Sequence, residues 1–96
     1  MKMVLFIYNA SIEEEVRQCM KECGVDKFTR FQELHGRGRH SDPHMGTHIW
    51  PSTNSMIMVV CEDERARQLL SRMRELKERF MESGIKAFLL PVEESI

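Results

Sequence analysis

Ser55-Met56-Ile57-Met58-Val59-Val60-Cys61 is an apolar run in the middle of the chain. Its length and β-branched content suit a buried strand. Alternation sends Met56, Met58 and Val60 to one face and Ile57, Val59 and Cys61 to the other. Both sets are apolar, so both faces of this strand call for cover. A second run, Met3-Val4-Leu5-Phe6-Ile7-Tyr8, has the same property. There Met3, Leu5 and Ile7 oppose Val4, Phe6 and Tyr8. Two strands apolar on both sides belong at the centre of a sheet.

Downstream of the middle run, Glu62-Asp63-Glu64 opens a helix with acids, which favour a helix N-terminus. Ala66, Leu69, Leu70, Met73, Leu76, Phe80 and Met81 keep a helical period to about Glu82, and Gly84 follows as a cap. Ile85 to Leu90 reads as a last strand, and Pro91 begins a polar tail. Upstream, Lys27 to Leu34 is mixed apolar and polar, a half-exposed strand. Before it, Ile12, Val16, Cys19, Met20 and Cys23 form one face of a helix. Ser11 and Glu14 have capping-box spacing at its start, and Gly24 stands at its end. The order β-α-β-loop-β-α-β predicts an α+β fold. It is a ferredoxin-like βαββαβ sandwich, with one antiparallel four-stranded sheet and two helices on one face.

Helices on one face leave the other bare. A bare apolar sheet face is unusual on a monomer, so the pattern predicts an oligomer that buries it. The alternative is that the long loop or the C-terminal tail folds over it.

The chain has 96 residues, enough for one domain, 1–96, and too few for two cores. Lys plus Arg number 14 and Asp plus Glu 15, a net charge of −1 that argues against a nucleic-acid binder. No apolar run approaches the roughly 20 residues that cross a bilayer. The first residues lack a signal-peptide cleavage pattern. Three cysteines, none in a CxxC pair, fit a reducing cytoplasm and read as small core residues. The arginines and glutamates of the second helix read as a solvated face with ion pairs. No catalytic triad order or paired acids by spacing are present, so nothing argues for an enzyme.

The chemistry-bearing residues gather in the loop at about 35–54. It reads His35-Gly36-Arg37-Gly38-Arg39-His40-Ser41-Asp42-Pro43-His44-Met45-Gly46-Thr47-His48-Ile49-Trp50-Pro51. The segment from His40 to Thr53, polar, long and rich in Gly and Pro, is expected to be mobile without ligand. Trp50-Pro51 is the apolar anchor for its far end. All four histidines lie here, so His40, His44 and His48 are a candidate set for a divalent ion (Zn, Cu or Ni). His35 or Asp42 would complete the set from the same or a neighbouring subunit. Gly36, Gly38 and Arg39 make a competing anion site, because glycine permits close backbone approach and arginine pairs with phosphate.

The layout, with a strand ending Glu33-x-x-Gly36-x-Gly38-Arg39 before a long loop, resembles the PII signal-transduction proteins. The Gly24-Val25 helix end and the strand Ser55 to Cys61 also match that family. The resemblance implies a homotrimer with its sheets inward and a flexible loop that docks on a partner protein. It also implies an adenine nucleotide between subunits against the Gly36-x-Gly38-Arg39 backbone. Three family features are absent. Met81 to Ile85 leaves no room for the second glycine-rich loop with its lysine. The tail Pro91 to Ile96 is acidic where nucleotide-binding members carry basic residues. The only tyrosine is Tyr8, in the first strand, so the loop has none to modify. The resemblance and the His-rich loop together imply two functions. One is a trimeric regulator that senses a small ligand, nucleotide or metal ion, at subunit clefts and acts on a partner through the loop. The other is a CutA-like divalent-metal-binding or homeostasis protein using the His-rich loop.

Overall fold

Strand β1 (Lys2–Asn9) runs up the middle of the sheet in the computed structural model, which describes residues 1–35 and 53–96. A 3-10 turn (Ala10–Ile12) leads into α1 (Glu13–Glu22), followed by β2 (Thr29–Leu34). After the loop come β3 (Asn54–Cys61), α2 (Asp63–Arg79), a second 3-10 turn (Met81–Ser83) and β4 (Lys86–Pro91). The strand order is β2-β3-β1-β4, and every neighbouring pair is antiparallel. The two apolar runs are therefore the central strands, and both helices cover one face.

That covered face holds the core. Val4, Phe6 and Tyr8 of β1 and Ile57 and Val59 of β3 are shut off from solvent. Ile12, Val16, Cys19 and Met20 of the first helical stretch and Ala66, Leu69, Met73 and Leu76 of α2 are buried against them. Each large apolar side chain buried this way contributes about 1.5–3 kcal/mol before its ordering entropy is counted.

Three local details differ from the sequence-based expectation. Ser11 does not cap α1. Asn9 accepts a hydrogen bond from the Ser11 amide at 2.8 Å, because β1 runs on to Asn9 and a 3-10 turn intervenes. The second helix stops at Arg79, where Phe80 leaves helical geometry at φ −125°, ψ 60°. Met81 therefore falls in the following turn and is exposed rather than packed. Pro91 closes β4 opposite Lys2 instead of opening a tail, which an edge strand tolerates.

Gly24 does what its position suggests. It takes φ +74°, the Gly24 amide donates to the Lys21 carbonyl, and the Val25 amide donates to the Met20 carbonyl at 2.9 Å. These two bonds make a Schellman motif, and Val25 and Met20 both join the core. Gly24→Ala is expected to destabilise the fold by about 1–2 kcal/mol, since any Cβ opposes the left-handed backbone. The urea midpoint checks it, and an unchanged midpoint contradicts it.

The uncovered face is a grid of mostly apolar side chains. Leu90, Met3 and Val60 align in one row, Phe88, Leu5, Met58 and Thr29 in the next, and Lys86, Ile7, Met56 and Phe31 in the third. Val60, Phe88 and Phe31 stay more than 40% exposed.

Candidate functional site

Where β2 ends and β3 begins, the sheet presents the two roots of the loop. Leu34 pairs with Asn54, and Asn54 pairs with Asn9 on the other side. The Ala10 amide donates to the Thr53 carbonyl at 3.0 Å, tying the far root to the start of the first helical turn. His35, the first residue after β2, is exposed. Gly36, Gly38, Arg39, His40, Asp42, His44 and His48 lie outside the described residues, as do the Trp50-Pro51 anchor and the expected mobility of most of the loop. Among the described residues no three His, Cys, Asp or Glu side chains stand together as a metal site.

The near root is held by a polar cluster that sequence reasoning does not reveal. Tyr8 is fully buried, and its hydroxyl donates to Glu13 Oε1 at 2.5 Å. Arg30 Nη1 of β2 donates to Glu13 Oε2 at 2.6 Å, and Arg17 Nη1 reaches the same oxygen at 3.3 Å. Ser55, buried at the start of β3, also hydrogen-bonds Tyr8. Thus β1, α1 and β2 meet at one carboxylate, and β3 joins them through Tyr8. Burial and the Glu13 carboxylate push the Tyr8 phenol well above its ordinary range, so it remains a donor. Burial also pushes Glu13 up, but hydrogen bonds from Tyr8, Arg17 and Arg30 outweigh it and hold the carboxyl below its usual value. The cue in the sequence is a tyrosine in the inward set of a central strand, since a buried phenol needs a partner.

A carboxyl whose folded pKa lies below its unfolded value stabilises the fold above the unfolded pKa, here about 4.5. That stability is lost as pH falls through the depressed folded value. Glu13→Gln is expected to remove this share of the acid-induced loss, while lowering stability near pH 7. Parallel acid limbs for the two proteins in thermal melts would contradict it.

Beyond the cluster, β2 carries an irregularity. Phe31 pairs with Met56 but Leu34 pairs with Asn54, so Gln32 and Glu33 together oppose Ser55. Glu33 takes φ +57°, a left-handed backbone that costs a non-glycine residue about 1–2 kcal/mol. At the same end of the sheet a cleft is lined by Asn9, Ser11, Arg79, Phe80, Met81 and Glu82. The Arg79 guanidinium lies 5.2 Å from the centre of the Phe80 ring, inside the roughly 6 Å reach of a cation–π contact.

The cysteines are structural here. Cys19 is buried and Cys23 and Cys61 are half-buried, all as free thiols. Burial pushes all three thiols up, away from reactivity. On α2, Arg72 pairs with Glu75 at 3.4 Å, as the i,i+3 spacing predicts, and it also reaches Glu22 on α1, so the same guanidinium links the two helices. Among the described residues no helix is long and apolar enough to cross a membrane.

A family model described as nitrogen regulatory protein P-II matches residues 1–96. No curated protein sequence matches the chain. Among solved structures, CPII from Thiomonas intermedia K12, bound to ADP, AMP and acetate, superposes with a TM-score of 0.75 at 18% identity. The match covers 99% of this chain and 88% of that one. A second structure of CPII, described as a nitrogen regulatory PII-like protein bound to ADP, AMP and bicarbonate, gives 0.72 at 17% identity over 99% and 90%. A protein from Thermus thermophilus assigned to PII-like signalling gives 0.67 at 20% identity over 92% and 82%.

Proposed function

Since the chain belongs to the nitrogen regulatory protein P-II family, we propose that it is a trimeric regulator that binds an adenine nucleotide between subunits and acts on a partner protein through the loop at 35–54. The match of the family model across residues 1–96 is the observation that carries this reading. It is a regulator, not an enzyme: its work is to change shape and contacts on binding.

Two features of the chain support the assembly and the ligand. The apolar grid of Met3, Leu5, Ile7, Met56, Met58 and Val60 needs cover that the chain's own helices do not give. The ligand class follows from the sequence Gly36-x-Gly38-Arg39 and from the CPII structures, which hold ADP and AMP. Gly36 and Gly38 would let backbone amides approach a phosphate, and Arg39 would pair with it. The loop roots at Leu34 and Thr53 and the cleft beside Asn9 and Arg79 share one end of the sheet. A nucleotide held there would touch both the loop and the α2–β4 turn. Ordering of a segment by ligand contacts is a general route to switching a docking surface.

Calorimetric titration of the purified protein with ATP, ADP and AMP tests the ligand, with Zn²⁺, Cu²⁺ and Ni²⁺ as a second series. Saturable heat from ADP or AMP is the expected result. Heat from a divalent ion alone would favour His40, His44 and His48, with His35 or Asp42, as a metal site.

A further inference from the structure

The extra residue in β2 decides which side chains reach the open face. Residues directly opposite in an antiparallel pair share a face. Asn54 continues the open-face line of Met56 and Met58, whereas Ser55, Ile57 and Val59 are buried under the helices. Through the bulge Leu34 pairs with Asn54 and so stands on the open face. Without it, the register of Thr29 to Phe31 would continue, with Glu33 opposite Asn54 and Leu34 opposite Thr53. A one-residue change of register exchanges faces. The straight strand would put a carboxylate on the apolar face and turn Leu34 away from it.

The two registers are balanced by opposite terms. The bulge strains Glu33 at φ +57°, and the straight strand relieves that strain. While the face is wet, a carboxylate there costs little. When the face is buried, an unpaired carboxylate is excluded. The rest of β2 does not have to move, because Arg30 is clamped to Glu13 on the near side of the bulge.

We propose that the Gln32–Glu33 bulge couples self-assembly to the loop root: the separate subunit samples both registers, and burial of the open face between copies admits only the bulged one. The exit of the chain at Leu34, one residue from His35, is then set by the assembly state. This rests on the assembly proposed above.

Cross-strand proton contacts in the isotope-labelled full chain read the register directly. The bulged form gives a Leu34–Asn54 contact, and the straight form gives Glu33–Asn54 and Leu34–Thr53 contacts. Leu5→Glu places a charge on the open face from β1, which does not border β2, and Phe88→Glu does so from β4 should the first variant fail to fold. The wild-type assembly is expected to show only the bulged contacts, and the dissociated variant both sets. Adding Glu33→Gly to the variant is expected to shift the ratio toward the bulge by about fivefold or more, by removing the left-handed strain. An assembled wild type whose dissociated variant keeps only the Leu34–Asn54 contact overturns the coupling alone. A monomeric wild type overturns the assembly reading as well.

Discussion

Met58→Glu is expected to turn the assembled protein into a folded monomer. Met58 stands in the middle row of the open face, between Leu5 on β1 and Thr29 on β2, and no helix covers it. A glutamate there costs the isolated subunit little, because water solvates it. In an interface it is a buried, unpaired charge, worth about 3–5 kcal/mol, or roughly 10²- to 4 × 10³-fold in a dissociation constant for each contact it faces. The neighbouring change behaves differently. Val59 is 1% exposed, under the helices. Val59→Glu is expected to unfold the chain, since one unpaired buried charge takes a large part of a stability of about 5–15 kcal/mol. Sedimentation and circular dichroism on both variants separate the cases. Equal loss of helicity in the two would mean that the open face is not solvent-facing in the subunit.

Arg39→Ala carries the second large effect. If Arg39 pairs with a phosphate, its removal costs a charge-assisted hydrogen bond of about 1.5–3 kcal/mol, weakening nucleotide binding by roughly 10- to 100-fold. Replacing His40, His44 and His48 together is expected to leave nucleotide affinity unchanged. The reverse pattern, with affinity for a divalent ion lost in the triple variant and falling as pH drops through about 6.5, would assign the loop to metal. Loss of nucleotide binding in the triple variant with full retention in Arg39→Ala would remove Arg39 from the site.

The layers of this fold are legible in the chain because its two central strands are apolar on both sides. That same property hides which side the helices take, since Met58 and Val59 are equally apolar and only the packed helices tell them apart. The helix faces are legible too: Val16, Cys19 and Met20 are buried at the spacing the sequence shows. Helix ends are less so. Ser11 and Glu14 have the spacing of a cap, but Asn9 instead caps the 3-10 turn that precedes α1, because it already stands where β1 turns. The cluster of Tyr8, Glu13 and Arg30 has no motif, because its members come from three elements that only the fold brings together. Glu33 is the least legible residue. Nothing in its type predicts a left-handed backbone, and the bulge follows from the register that the flanking pairs impose.

The proposed assembly, the proposed nucleotide cleft and the proposed coupling through β2 all depend on burial of the open sheet face between copies of the chain. Sedimentation equilibrium of the wild-type protein at micromolar concentration tests this most directly. The expected particle is about 34 kDa, three chains of 11.3 kDa. A single species of 11.3 kDa across that concentration range would contradict it.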